Sequence, residues 1–296
     1  ASEKPAVATP KAQTLSAASH REARSTRAPD AVDNTDWLKA AAIVLVSADH
    51  LGYFFMEDDL WWSTFGRLAA PIFFFLLGFA RTRTVPVHWI WLGVVLTLLE
   101  SWTHDWTWVA PNILLSLVLI RIASPHVQVL LQHDGWAGFF LLVCGLLAAL
   151  PITSVIVDYG SEGWLWALFG SCQRMYVDGR TVVDVHGAAQ NSALPVRATE
   201  NMALMRLLAC IVAAVAYVWQ EQREYSFPQY HFAAFILGVG VLSISLCLFQ
   251  RGPSSIQPPE VIAGFLRFIG RHTLEIYAIQ LAGSEIYTEV VLGLAP

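Results

Sequence analysis

Long apolar segments are the feature that most constrains the fold of this chain. There are nine of them, at roughly 37–57, 61–80, 87–104, 107–122, 135–157, 161–177, 203–220, 230–250 and 261–293. About 20 apolar residues suffice to cross a bilayer as a helix. Charged residues make up only 14% of the chain, whereas a soluble domain carries about 25%. We therefore predict an all-α, polytopic transmembrane helical bundle of about nine spans, in which the last segment is long enough to hold a surface helix and a span.

The residues before the first apolar segment have a different composition. Residues 1–34 are rich in Ala, Ser, Thr, Pro and Arg and lack an apolar centre, so they cannot bury a core. We predict a disordered cytoplasmic tail over 1–34 and a transmembrane helical domain over 35–296. Arginines cluster on one side of the predicted spans, and cytoplasmic loops are enriched in Lys and Arg. The N-terminus is accordingly predicted to be cytoplasmic. The arginines concerned are Arg21, Arg24, Arg27, Arg81, Arg83, Arg121, Arg174, Arg180, Arg197 and Arg251.

Charge and cysteine usage exclude several classes of function. A net charge of −5 gives no basis for nucleic-acid binding. The four cysteines are isolated in apolar runs, without the spacing of a zinc or redox motif. We expect no metal and no nucleic-acid partner, and we expect membrane lipids to surround the chain.

Ionisable residues inside the first spans are the strongest functional signal. Asp49 and His50 interrupt an apolar helix, and Arg67 lies in the next apolar segment. Such groups are costly in a membrane and usually functional. At 1.5 Å per residue, His50 and Arg67 lie roughly 10 Å and 9 Å below the same membrane surface, and Glu100 lies near it on the third span. These four side chains are predicted to share one layer, with Asp49 or Glu100 paired to Arg67.

A second pattern connects this layer to the opposite surface. Lys39 and His50 are eleven residues apart, so they share one helix face at a separation of roughly 16 Å. This suits an anionic cytoplasmic ligand whose phosphates meet the lysine and whose reacting end meets the histidine. Asp49 diverges from His50 by about 100°, so another carboxylate would orient the imidazole, with Glu100 or Glu275 as candidates.

Structural explanations stand beside these functional ones. An Asp49–Arg67 pair can simply pin two helices together. A single intramembrane histidine can be part of hydrogen-bonded packing, and Lys39 can be an interfacial residue that snorkels to the surface.

Several motifs resemble those of TraX-type membrane proteins. They are Leu38-Lys39 leading to the Asp49–Gly52 run, the Gly-Arg-Leu-Ala-Ala-Pro run within 65–78, and Arg81-Thr82-Arg83-Thr84. The last segment, 269–281, resembles that family's closing motif, which integral-membrane acyltransferases share more widely. The resemblance covers both ends of the chain well and 105–260 poorly.

The resemblance implies acylation in a bacterial inner membrane. TraX-like proteins are linked to N-terminal acetylation of pilin. The related acyltransferase superfamily has a basic residue, ten intervening residues and a histidine, a spacing that Lys39 and His50 match. There the donor is cytoplasmic acyl-CoA and the acceptors are often glycans. Gln280 departs from the pattern, since relatives often have a histidine at that place.

The leading hypothesis is therefore transfer of an acetyl or acyl group from cytoplasmic acyl-CoA to a peptide amine or glycan hydroxyl. His50 would be the general base, with Arg67 stabilising charge on the thioester or binding phosphate. The catalytic candidates are His50, Asp49, Arg67, Glu100 and Glu275. The residues expected to bind the donor are Lys39, Arg81, Arg83 and Arg271.

Two other readings remain open. In the first, the chain is a non-catalytic accessory subunit of a larger membrane complex that keeps an acyltransferase-like scaffold, as Gln280 and the irregular loop 174–202 suggest. In the second, Asp49, His50 and Glu100 form the relay of a proton-coupled transporter, although the sequence shows no internal repeat.

Overall fold

The computed structural model describes residues 31–56, 59–82, 84–103, 110–187 and 196–293. Arg83 and most of the predicted tail lie outside these ranges. The helices are α1 (Asn34–Phe55), α2 (Trp61–Gly66), α3 (Ala69–Phe79), α4 (Val87–Thr103), α5 (Ile113–Ile156), α6 (Gly160–Gly187), α7 (Val196–Tyr225), α8 (Gln229–Leu248), α9 (Glu260–Arg271) and α10 (Thr273–Ile286), followed by a π-helical turn at Tyr287–Leu292. The predicted all-α class is confirmed.

The described residues contain five helical stretches that are long and apolar enough to span a membrane, fewer than the nine segments predicted. They are Asn34–Phe55, Trp61–Phe79, Ile113–Ile156, Glu200–Tyr225 and Gln229–Leu248. The predicted fourth and fifth segments are the two limbs of α5, which meet at Gly135. The limbs fold back on each other, because Ser116 Oγ near the start of α5 donates to Asp158 O just after its end, at 2.6 Å. The predicted ninth segment is divided between α9 and α10.

The breaks in these helices differ from those expected. A proline normally interrupts a helix, but α5 continues through Pro125 and turns back at Gly135, where φ is 53°. Glycine adopts this left-handed conformation without a steric penalty. In the last segment, α9 ends at Arg271, and His272, with φ −111° and ψ 26°, separates it from α10.

Local hydrogen bonds fix where α1 begins. The Asp33 side chain accepts from the Thr35 amide, and the Asp36 side chain accepts from the Asp33 amide, each at 3.1 Å. This reciprocal capping box satisfies two amides that the helix itself leaves unpaired. The start of α1 is thereby held beside the segment after α8, where the Asn34 amide donates to Gly252 O at 3.0 Å.

Helix α3 is the buried centre of the bundle. Phe74 and Phe75 are completely buried, as expected for packing residues. A Cβ added at Gly78 would lie 1.9 Å from the carbonyl oxygen of Ala167 on α6, so only glycine permits this close approach of the two helices. Gly66 likewise permits a close approach, here of α2 to α1, because its missing side chain makes room for Asp49.

Candidate functional site

A cavity of about 270 Å³ lies where α1, α4 and α7 end and where α3, α5 and α6 begin. Four predicted site residues line it: Asp49, His50, Arg67 and Glu100. We call it the acidic cavity. Its other polar or ionisable lining residues are Tyr53, Asn112, Asp158, Tyr159, Glu224, Tyr225, Tyr277 and Glu285.

Arg67 is surrounded by acidic and aromatic side chains. Its Nε lies 3.5 Å from Asp49 Oδ1 and 3.9 Å from Glu221 Oε2, and Glu221 is only 1% exposed. Its Nη1 donates to the Tyr159 hydroxyl at 2.7 Å, and its Cζ lies 4.4 Å from the Tyr225 ring centroid. The predicted pairing of Asp49 with Arg67 is therefore confirmed, and three further side chains complete the enclosure.

His50 faces the same cavity, and no carboxylate of the described residues forms an ion pair with its ring. The imidazole packs against Tyr277, with ring centroids 5.4 Å apart, and against Phe54 at 6.3 Å. Among the described residues, none is within hydrogen-bond reach of the buried Nδ1 atom. A neutral imidazole has one nitrogen that accepts a hydrogen bond and one that donates a hydrogen bond. The Nδ1 atom can therefore form a hydrogen bond with a group that enters the cavity.

The two carboxylates proposed to orient His50 lie in different places. Glu100 lines the acidic cavity, whereas Glu275 lies at a second cavity, with its Oε1 atom 3.3 Å from His88 Nε2. The expectation that Glu275 orients His50 is therefore wrong. Arg271 ends α9 and Glu275 lies in the first turn of α10, so the break at His272 places the two residues on different helices.

The second cavity, of about 430 Å³, lies at the opposite end of the bundle. Four cationic side chains of the described residues line it, and we call it the basic cavity: Lys39, Arg121, Arg251 and Arg271. Its wall also includes Trp89, whose ring centroid lies 5.2 Å from the Arg121 Cζ atom. The Lys39 ammonium donates to the carbonyl oxygen of Gly270 at 2.7 Å, so it also joins α1 to α9.

The predicted donor-binding residues only partly converge on this cavity. Lys39 and Arg271 line it together. Arg81 does not, because its exposed guanidinium pairs with Asp178 on α6. Arg83 lies outside the described residues.

The two cavities share one wall residue. Phe73 on α3 lines both of them, and no other residue is common to the two linings in the described part of the chain. Beside it, the Gln280 amide donates to Ser47 Oγ at 2.7 Å, which joins α10 to α1 between Lys39 and His50. The cavities are therefore two chambers on either side of Phe73 and not one channel.

Sequence reasoning missed eight of the twelve polar or ionisable residues that line the acidic cavity in the described part of the chain. Asp158 and Glu224 were not among the predicted site residues, although both line the same cavity as His50. Depth arithmetic extended to the later spans could have found them. Burial raises the pKa of the Asp158 carboxyl to about 7, and the nearby Arg67 offsets only part of that effect. The described residues contain no group of three His, Cys, Asp or Glu side chains placed to hold a metal ion.

Comparison with known proteins gives one match. A family model described as TraX protein matches residues 34–239, well over half of the chain. The match includes the middle of the sequence, where the resemblance in the motifs is weak, and stops before the 269–281 motif. No curated protein and no solved structure matches the chain.

Proposed function

We propose an acyl-transfer function for this chain, which belongs to the TraX protein family. In this proposal, the chain transfers an acyl group from acyl-CoA in the basic cavity to an acceptor in the acidic cavity. The observation that carries the proposal is the arrangement of two chemically different chambers along α1. One is lined by four cations and the other contains His50, and both adjoin Phe73. A donor phosphate and a reacting thioester could thus be held at the two ends of one extended carrier.

The basic cavity has the chemistry expected for the phosphates of the donor. Arginine and lysine form charge-assisted hydrogen bonds with phosphate oxygens, and Arg121 and Arg271 offer guanidinium groups beside the ring of Trp89. A volume near 430 Å³ is within the usual range of ligand pockets, and it would enclose only part of a CoA molecule. The nucleotide would remain at the mouth while the pantetheine arm points towards Phe73.

The reaction in the acidic cavity requires a base and no redox partner. His50 would accept a proton as the acceptor amine or hydroxyl attacks the thioester carbonyl carbon. The new C–N or C–O bond forms as the C–S bond breaks, and the imidazolium returns the proton to the departing thiolate. General base catalysis of this kind is worth about 10²–10⁴ in rate.

The surroundings of Arg67 favour a positioning role for it. Its guanidinium already contacts Asp49, Tyr159 and Glu221, so it has little freedom to follow a moving substrate. It would neutralise these carboxylates and hold α1 against α3, so that His50 keeps its direction into the cavity.

The test uses purified protein in proteoliposomes with acetyl-CoA and a short peptide that has a free N-terminal amine. Release of CoA thiol and acetylation of the peptide are measured together. We expect His50→Ala to lower both at least 100-fold. His133→Ala, at an exposed histidine beside the Gly135 kink, is the matched control and should leave both unchanged. Full activity of the His50→Ala protein would exclude the proposed mechanism.

A second candidate is the accessory subunit, and one contact favours it. Where relatives often have a histidine, Gln280 is engaged in joining α10 to α1 through Ser47. If the scaffold has lost its chemistry, the protein should be recovered from membranes with a stoichiometric partner and should release no CoA thiol. Recovery of a partner together with His50-dependent acetylation would reject the non-catalytic reading.

A further inference from the structure

An apolar groove runs between α5 and α7 on the outside of the bundle. Its volume is about 440 Å³ and all of its lining residues are apolar, among them Leu147 and Pro151 on α5 and Val215 and Trp219 on α7. Both helices are long and apolar enough to span the membrane, and Val215 is 64% exposed. The groove therefore opens towards the acyl chains of the bilayer.

A polar cavity continues this groove along the same two helices. It has a volume of about 400 Å³ and is lined by Ser154 and Asp158 after the groove residues of α5, and by Gln220, Arg223 and Glu224 after those of α7. Arg67, already paired with Asp49 and Glu221, also lines it, so this cavity adjoins the acidic cavity. On α5 the change from apolar to polar lining takes three residues, from Pro151 to Ser154. On α7 it takes one, from Trp219 to Gln220. The two spaces together have the shape and polarity of a site for an amphiphile.

The polar cavity contains charges of both signs. Arg223 lies at the junction with the groove, since its Cζ atom is 5.6 Å from the Trp219 ring centroid. Glu162, at the start of α6, lines the same cavity and is 5% exposed. Within the described ranges, no hydrogen-bond donor reaches its Oε2 atom. A buried carboxylate is costly unless it is paired, so Glu162 points to a ligand that brings a positive group.

We propose that this is a binding site for a phospholipid whose headgroup ends in a primary ammonium, as in phosphatidylethanolamine. One acyl chain fills the groove between α5 and α7, the phosphate meets Arg223, and the ammonium is held by Glu162 and Glu224. The cation Arg223 lies next to the groove and the carboxylates of Glu162 and Glu224 provide the negative charge, which matches a phosphate followed by an ammonium in the headgroup. A lipid with a purely anionic headgroup has no positive group for these carboxylates, so the site favours the ammonium lipid. The headgroup end of this site adjoins the acidic cavity, but binding of the lipid does not require acyl transfer, so the proposal stands whether or not the protein is an enzyme.

The experiment measures lipid retention by native mass spectrometry of the purified protein. Phosphatidylethanolamine, phosphatidylcholine and phosphatidylglycerol with identical acyl chains are added in detergent at equal concentrations. We expect about tenfold stronger retention of phosphatidylethanolamine, the size expected for a charged hydrogen bond. Phosphatidylcholine tests the N–H groups, because its trimethylated nitrogen has none. Phosphatidylglycerol tests the positive charge.

Variants separate the two halves of the site. Glu162→Gln should abolish the preference for phosphatidylethanolamine while general lipid retention persists, and Arg223→Gln should weaken retention of all three lipids. Val215→Trp should fill the groove and reduce retention of all three. Its matched control is Ile244→Trp, a position on α8 with the same 64% exposure that lines neither cavity, and this variant should bind lipid normally.

Two results would overturn the proposal. One is equal retention of phosphatidylethanolamine and phosphatidylglycerol by the unaltered protein. The other is equal lipid retention by Val215→Trp and Ile244→Trp. Neither measurement involves acetyl-CoA, so a failure here is distinct from a failure of the proposed acyl transfer. Unfolding temperatures of the lipid-free variants identify any substitution that acts through loss of the fold.

Discussion

At the scale of single residues, Arg67 is the group on which the acidic cavity depends. Its guanidinium contacts the carboxylates of Asp49 and Glu221, which have little access to water. Removing one partner of a buried ion pair costs about 3–5 kcal/mol, because the remaining charge is left uncompensated. We expect Arg67→Gln to lower the unfolding temperature strongly, and Glu221→Gln in the same chain to recover part of the loss.

The chain provides its own control for this prediction. Arg81 pairs with Asp178 while 71% exposed, and exposed ion pairs are worth about 0–1 kcal/mol. Arg81→Gln should therefore change the unfolding temperature little. If Arg67→Gln proves no more harmful than Arg81→Gln, the buried arginine does not hold the cavity together.

Asp158 should give the stability of the protein a distinct pH dependence. Burial raises the pKa of this carboxyl to about 7 in the folded chain, whereas the pKa of an unfolded aspartate is about 3.9. Between these values the folded state binds more protons than the unfolded state, so this group lowers stability as the pH rises from about 4 to 7. Below and above that window its contribution is constant.

Asp158→Asn tests this argument, because the amide is neutral at every pH. Unfolding temperatures of both proteins are measured in detergent at pH 5 and pH 8. We expect the loss of stability between these pH values to be smaller in the variant, and the variant to be the more stable protein at pH 8. An identical loss in both proteins would mean that the Asp158 carboxyl is not the group that titrates.

The sequence predicted the residues of the site that lie on the early spans. Asp49, Arg67 and Glu100 could be assigned to one layer because they belong to successive spans joined by short connections. Tyr159 and Glu221 could not, since each reaches Arg67 only through the packing of α6 against α3 and of α7 against α6. Nothing in the local sequence encodes a contact between residues more than 90 positions apart.

At the scale of helices, the packing of α3 against α6 depends on the absence of a side chain at Gly78. A Cβ atom at this position would overlap the backbone carbonyl of Ala167, and backbone cannot move aside as the end of a side chain can.

We expect Gly78→Ala to destabilise the protein or prevent its folding. Gly240→Ala on α8 has open space around its new Cβ and should be neutral or stabilise by up to about 1 kcal/mol. Unfolding temperatures of the two variants are compared directly, and equal values would contradict this account of the α3–α6 contact.

Helix boundaries were the least predictable part of the fold. Proline normally ends a helix because it lacks an amide donor and clashes with the preceding turn, so a helix would be expected to end near Pro125. Membrane helices tolerate proline when neighbouring groups satisfy the freed carbonyl, and α5 continues through it. The length of the last segment predicted a surface helix followed by a span, but the position of the break at His272 was hidden, because the residues on both sides favour a helix. That one break directs Glu275 towards the basic cavity and away from His50.

At the scale of the whole molecule, the two cavities give the bundle a polarity that fixes its expected orientation. The basic cavity opens where α1 begins and α8 ends, and the acidic cavity where α1 and α7 end. Loops rich in Lys and Arg remain in the cytoplasm, so the basic cavity should face the compartment that supplies acyl-CoA. The acceptor would then enter the acidic cavity from the outer side of the membrane.

Helix α8 allows a direct test of this orientation. Its 20 residues extend about 30 Å, the thickness of the hydrocarbon core, so the exposed residues Gln229 and Ser255 flank opposite membrane surfaces. Single cysteines are introduced at these two positions in a background in which exposed Cys144 is replaced by Ser. A membrane-impermeant thiol reagent added to intact cells should label Gln229→Cys at once and Ser255→Cys only after the membrane is opened. The reverse pattern would place the four cations outside the cytoplasm, where acyl-CoA is absent, and would therefore exclude the proposed donor while leaving the lipid site between α5 and α7 unaffected.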